Sequence, residues 1–242
     1  MKSREGGGGP LADVLVDEDS PLAAIDGWDL AGAPVSLASR LAQRAFDVAA
    51  SSAALVMLAP VLVVVAALVK VTSPGPLIYR SPRVAQDGGE FGALKYRSMR
   101  VDADEVLQRL LDTDPEARAE YGKHFKLADD PRVTPIGHVL RRSSLDELPQ
   151  LWNVLRGEMS IVGPRPKLLS ERDVWGPALP AVLRVKPGLT GLWQVSGRSR
   201  LTMAERIELD LRYAGERTMQ GDLRICARTL VQIWRPAKHG AC

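Results

Sequence analysis

The chain is short of the residues that staple or metallate small proteins. Its 242 residues include two cysteines, Cys226 and Cys242. They match neither a metal spacing nor a redox motif, so no disulfide framework is implied, and two free thiols in a reducing compartment are expected. The three histidines, His124, His138 and His239, are scattered and form no ligand pattern. No internal repeat is present, and no basic stretch is interleaved with aromatics, which counts against nucleic-acid binding. The one long apolar run is not expected to be a secretory signal. It starts too late, is too long, and follows an acidic tail rather than a basic region.

Charge is also missing in one place. Val48 to Val69 is a run of 22 residues without a charged side chain, within the length window of a bilayer-embedded helix. Residues 1–36 hold two basic and seven acidic side chains, a net of −5; with +3 for the whole chain, residues 37–242 carry +8. A basic body beside an apolar segment suits anionic headgroups and phosphate-bearing substrates. Residues 1–36, with Gly6 to Pro10 and the cluster Asp17-Glu18-Asp19, read as a disordered acidic tail.

Residues 37–72 read as one long helical element with Pro60 near the middle of its apolar run. Proline removes a backbone hydrogen bond and clashes with the preceding turn, so a kink or break is expected there. Arg40 and Arg44 precede the run, and Lys70, Arg80 and Arg83 follow it. Both flanks satisfy the positive-inside bias. A helix that enters, bends at Pro60 and returns places them on one side, with arms of about 11 residues, or roughly 16 Å each. A single span with a tolerated proline is the alternative. Beyond Ser73-Pro74-Gly75-Pro76, strands are expected at Leu77–Arg80 and Phe91–Tyr96. Residues 102–129 read as helical, with Leu107, Leu110 and Leu111 on one face. Leu223 to Trp234 reads as an amphipathic helix, suited to a membrane interface or to packing on the core.

Three segments carry candidate chemistry. In Arg141 to Val154 a helix is expected to start between Ser144 and Pro149. Ser144 and Glu147 have capping-box spacing, and Pro149 suits the first turn of a later start. Either start places Asp146 and Glu147 at the positive end of the helix. Adjacent carboxylates repel unless a cation shares the site. Arg141, Arg142 or a divalent cation supplies that charge, and Mg²⁺ takes one or two carboxylates plus substrate phosphates. An ionised Asp146 beside a metal-bound diphosphate is then a nucleophile for phosphoryl transfer; plain helix capping is the alternative. In Gly163-Pro164-Arg165-Pro166, two prolines fix the backbone around one guanidinium, the bidentate partner of phosphate. In the glycine-rich stretch Lys186 to Arg198, Gly188, Thr190 and Gly191 sit in a loop that lets backbone N–H groups approach a ligand. Gln194 or Trp193 can meet a base or sugar, and Arg198 can meet a phosphate; glycine-rich loops are common, and alone this is a weak signal. Lys95, Tyr96 and Arg97 add another basic spot.

Taken together, these segments resemble the bacterial sugar transferases, also called polyprenyl-phosphate hexose-1-phosphate or monotopic phosphoglycosyl transferases. The resemblance covers residues 37–235. It rests on Ser73–Pro76, Lys95–Met99, Asp130–Thr134, Ser144–Val154, Gly157–Pro166 and Pro187–Arg198. It implies an α+β, mostly helical protein. A re-entrant helix–break–helix (37–72) would be followed by a cytoplasmic catalytic domain (73–242) with amphipathic interfacial helices and a small sheet. The location would be the cytoplasmic face of a bacterial inner membrane.

The resemblance further implies that Asp146 attacks the phosphate carrying the sugar of a UDP-sugar, releasing UMP, and that polyprenyl (undecaprenyl) phosphate then takes the sugar-phosphate. Such a reaction initiates exopolysaccharide or surface-glycan synthesis. Glu147 would hold Mg²⁺, and Lys95, Arg141, Arg165 and Arg198 would meet phosphates. A homodimer stays open. Many members have Ser-Pro at the bend where this chain has Ala59-Pro60, so the bend must be stabilised differently. Larger members carry further membrane helices upstream, so this chain reads as a catalytic core. The 101–131 segment resembles that of members handling galactose- or glucose-phosphate. Two other readings use the same residues: a membrane-anchored phosphohydrolase, and a non-catalytic lipid-binding scaffold.

Overall fold

The structure, a computed structural model, describes residues 36–124, 127–197 and 200–234. The acidic tail therefore lies outside the described residues, apart from its last residue, and so does Arg198. The chain divides into two compact bodies, each assembled from separated stretches. Among the described residues, the first holds 47–81, 92–124 and 127–157. The second holds 36–46, 82–91, 158–197 and 200–234.

The helix α1 (Leu37–Thr72) contributes its first ten residues to the second body and the rest to the first. It is the one helix among the described residues that is long and apolar enough to cross a membrane. The helical assignment runs unbroken through Pro60, so the expected interruption is not present as a gap in the helix. The missing N–H at residue 60 costs one bond of the ladder, and the apolar residues on both sides keep the rest.

The strands β1 (Ile78–Val84) and β2 (Glu90–Tyr96) form a two-stranded hairpin sheet; residues 82–91 count with the second body and the rest with the first. Helices α2 (Ala103–Thr113) and α3 (Pro115–His124) follow, broken at Asp114-Pro115. Proline suits the first turn of a helix, and Asp114 caps α3 by accepting from the Glu116 and Ala117 amides. Leu107, Leu110 and Leu111 are only half-buried. The helix α4 (Pro135–Ser143) starts with Thr134 as N-cap, whose Oγ1 accepts from Gly137 N at 3.0 Å, and Pro135 in the first turn. A 3₁₀ turn, Leu145–Glu147, then leads to α5 (Gln150–Arg156). The core of the first body is Val65, Val69, Tyr96 and Leu140, flanked by Leu62, Ala66, Leu77, Ile78, Ile136 and Leu145. One face of the apolar run after Pro60 is thus protein-packed.

The second body holds a feature that the sequence reading did not place, a parallel pair of β3 (Ser160–Val162) and β4 (Gly188–Thr190). Short helices α6 (Arg172–Trp175), α7 (Ala178–Val182) and α8 (Leu192–Ser196) connect the rest. The longer α9 (Met203–Glu216) and α10 (Met219–Trp234) close the body. Thr202 and Glu205 form a capping box at the start of α9. Trp175, Ala178, Ala181, Val182, Ile207 and Leu211 make one core cluster; Val162, Val185, Tyr213, Ala214 and Ile225 make a second. Along α10, Asp222 and Ile225 are buried, while Leu223, Leu230 and Val231 are exposed. The expected amphipathic helix is present with an uncovered apolar side.

Candidate functional site

The first body gathers four of the residues singled out from the sequence. Asp146 sits in the middle of the 3₁₀ turn with 6% of its surface exposed. Beside it, Glu147 accepts from Lys95 Nζ at 2.6 Å. Lys95 comes from β2 and Glu147 from the turn, 52 residues apart in sequence. Arg141, in the last turn of α4, donates from Nε to Ser98 Oγ at 2.9 Å. Its charge, like that of Lys95, acts on Asp146.

The local backbone differs from the capping-box expectation. Ser144 stands in the N-cap position of the 3₁₀ turn, but its side chain makes no capping hydrogen bond there. It also ends α4, at φ 58°, ψ 18°, with its N–H bonded to Arg141 and Leu140 carbonyls. Among the described residues it is the only non-glycine with positive φ. Its own carbonyl accepts from the Glu147 N–H at 3.3 Å. Left-handed backbone at a non-glycine residue is strained and tends to persist at functional sites. The carboxylates therefore lie on a tight turn just past the C-terminal end of α4, not in the first turn of a helix. Helix-dipole support for their ionisation is correspondingly weak there.

Burial raises the Asp146 carboxyl above the ordinary carboxylate range; the Lys95 charge opposes this, Glu147 adds to it, and Arg141 opposes it. The carboxyl is thus desolvated and held beside two cations. That poise suits a nucleophile that has shed its water but still has positive charge nearby.

Magnesium takes hard oxygen donors and commonly keeps waters and substrate phosphates. The adjacent carboxylates of Asp146 and Glu147 are such donors. Among the described residues there is no group of three or more His, Cys, Asp or Glu suited to a metal. This donor set fits a magnesium ion shared with a diphosphate and does not fit a closed all-protein cage.

The second body carries the other candidates. Arg165 is half-buried, on a loop whose backbone is tied on both sides. The Pro164 carbonyl accepts from Gly188 N at 2.8 Å, and the Pro166 carbonyl accepts from Arg83 Nη1 at 3.1 Å. Lys167, the next residue, runs inward to Asp210 on α9, with Nζ 2.5 Å from Oδ2 and 3.5 Å from the centre of the Trp175 ring. Burial pushes the Lys167 ammonium down and the Asp210 carboxyl up, and their mutual attraction works against both shifts. Spacing along the chain carried no hint of this pair.

The expected nucleotide-sugar loop has a different local form. Gly188 to Thr190 is the strand β4, and Gly191 is the residue that opens α8. A Cβ on Gly188 would lie 2.0 Å from Gly163 N, and one on Gly191 would lie 2.2 Å from Gly163 O. These glycines allow two backbone segments to touch. Thr190 Oγ1 pairs with Thr229 Oγ1 at 2.8 Å, and Gln194 is half-buried.

A family model described as bacterial sugar transferase matches residues 38–236, and the chain belongs to that family. It is 45% identical over 192 residues to the UDP-galactose-lipid carrier transferase of Erwinia amylovora, covering 79% of this chain and 40% of that protein. The undecaprenyl-phosphate galactose phosphotransferase of Salmonella typhimurium is 43% identical over 198 residues, 81% of this chain and 41% of its own. The exopolysaccharide production protein ExoY of Rhizobium meliloti is 44% identical over 193 residues, 80% of this chain and 85% of its own. The chain thus spans about two fifths of the first two relatives and most of the third.

Proposed function

We propose that this chain transfers a sugar-1-phosphate from a UDP-sugar to a polyprenyl phosphate, as the first step of exopolysaccharide or surface-glycan assembly. The observation that carries the reading is the buried Asp146 carboxylate on its tight turn, beside the Lys95–Glu147 pair and Arg141. Asp146 attacks the phosphorus that bears the sugar. The bond from that phosphorus to the bridging oxygen breaks, UMP leaves with the oxygen, and a sugar-phosphoryl-aspartate remains. An oxygen of the polyprenyl phosphate then attacks the same phosphorus, the bond to Asp146 breaks, and the free carboxylate returns. Glu147, with Asp146, would hold Mg²⁺ against the donor phosphates, where it neutralises diphosphate charge. In the first body, Lys95 and Arg141 meet phosphate oxygens. The relatives' names point to UDP-galactose and UDP-glucose as the first donors to try.

The expected result is UMP release that requires both a UDP-sugar and polyprenyl phosphate, and that EDTA abolishes. Release that ignores the lipid phosphate would make the protein a phosphohydrolase. Lipid binding without any release would make it a scaffold.

The same reading places α1 as a re-entrant element, with the catalytic body on the cytoplasmic face of the inner membrane. Between the buried residues Ser51 and Val65 no side chain is buried. Those 13 intervening residues span roughly 20 Å, short of the ~30 Å hydrocarbon core. Val56 and Met57, 77% and 78% exposed, lie within this stretch next to Pro60. The basic flanks support the same topology. In inverted and right-side-out vesicles of a cysteine-free variant, single cysteines at positions 38 and 71 should label from the same, cytoplasmic side. Labelling from opposite sides would establish a single span. The exposed Leu223, Leu230 and Val231 on α10 suit an interfacial helix.

A further inference from the structure

The strand β2 carries Lys95, the cation on Glu147, yet among the described residues it pairs with only one other strand, β1. On its second edge, the Gly92 and Leu94 backbone groups meet one side chain. Asn153, on α5 and 1% exposed, accepts at Oδ1 from Leu94 N at 2.9 Å and donates from Nδ2 to the Gly92 carbonyl at 2.9 Å. The carbonyl of one strand residue and the N–H two residues on face the same edge. Asn153 takes up the two groups that a neighbouring strand would take, and the amide is oriented by having one donor and one acceptor opposite it.

The consequence lies one residue further along. Leu94 is bonded to Asn153, and Lys95 reaches back to Glu147, which lies six residues before Asn153. One short stretch, 147–153, therefore holds β2 at two points: through the Lys95 side chain and through the backbone just before it. A shift of β2 by one residue would move Lys95 by about 3.3 Å, enough to break a contact of 2.6 Å.

We propose that Asn153 is a positioning residue of the candidate site: its amide clamps the open edge of β2 and thereby holds Lys95 on Glu147, beside Asp146. The inference rests on the transferase reading for its role in turnover, but its geometric part stands on the first body alone. Asn153→Leu keeps the volume and removes both bonds. Displacement of a site group by about 1 Å costs on the order of 10²-fold, so UMP release per folded enzyme should fall by about that factor.

Asn153→Asp is the rescue variant. At this buried position burial raises the new carboxyl's pKa and the Gly92 carbonyl opposite accepts its proton. The protonated form offers one donor and one acceptor in the same shape, so the rate should stay within about threefold of wild type. The decisive comparison is a double-mutant cycle with Lys95→Met. If Asn153 acts through Lys95, Asn153→Leu costs little in the Met background. An equal loss in both backgrounds, or no loss in either, overturns the proposal. If Asn153→Leu fails to fold, Asn153→Ser takes its place in the cycle.

A second readout needs no turnover. Acylation of Lys95 by a water-soluble amine reagent, followed by mass spectrometry, should be faster in the Leu variant than in wild type, and unchanged labelling overturns the clamp. If the wild type releases no UMP with any UDP-sugar, the transferase reading fails, and this labelling alone decides the positioning.

Discussion

Asp146→Asn should lower sugar-phosphate transfer by on the order of 10⁶-fold, the scale seen when a covalent nucleophile is removed. It should also abolish the covalent label left by a donor radiolabelled at the sugar-bearing phosphate. The same substitution should raise the melting temperature of the metal-free protein at neutral pH. Burial holds the Asp146 carboxyl above its unfolded value. The folded state therefore prefers the protonated form, and stability falls as pH rises from the unfolded value, about 3.9, through the raised folded one. Asparagine never ionises, so its advantage is full above that window and absent below it. Measured in EDTA from pH 3 upward, the two melting curves should separate with rising pH. Separation in the opposite sense would mean that the neighbouring cations, and not burial, dominate at Asp146. Retained transfer with full covalent labelling would remove Asp146 as the nucleophile. The stability part follows a common pattern in which a desolvated functional group is held at a cost to the fold.

Asp210→Asn should cost about 3–5 kcal/mol, because it leaves a buried cation without its counter-charge. Lys167 and Asp210 lie 2.5 Å apart, both buried, with the ammonium against the Trp175 ring. In the variant, Lys167 keeps a folded value below its unfolded one. The unfolded state then binds more protons, and stability rises with pH toward the unfolded lysine value, about 10.4. The deficit should therefore shrink between pH 7 and pH 10. Replacing both residues, Lys167→Met with Asp210→Leu, should recover most of the loss, since an apolar pair of similar volume needs no compensation. Thermal melts of the purified variants check both points. An Asp210→Asn protein as stable as wild type would show that Lys167 sheds its proton at little cost. Because Lys167 follows the Pro164–Pro166 loop, the same variants also report on how firmly Arg165 is presented.

Some of this architecture was legible before any coordinates. The uncharged run and its basic flanks mark α1, and the short apolar stretches beyond the break at Ser73–Pro76 mark the two hairpin strands, because both signals are local in the chain. The Asp146–Glu147 pair was visible as an unusual neighbour pair, and Arg165 as an arginine held between prolines. Other features were read with the wrong local form. Ser144 has the spacing of a capping box but serves as a left-handed helix end. Gly188 and Gly191 have the composition of a ligand loop but lie in and beside a strand pressed against Gly163. In both cases the residue type admits two backbone solutions, and only the surrounding packing selects one.

The order of residues alone determined that an apolar helix precedes a basic body, that proline interrupts one bond of that helix, and that two carboxylates stand side by side. These follow from hydrophobicity, ring closure and covalent adjacency, which need no partner elsewhere in the chain. Tertiary structure decided that Lys95 meets Glu147 across 52 residues, that Asn153 meets the second edge of β2, and that Lys167 finds Asp210 beneath Trp175. Each of these joins groups distant in sequence. Ordering them costs entropy, and that cost is met only when burial and hydrogen bonding act together in the folded body.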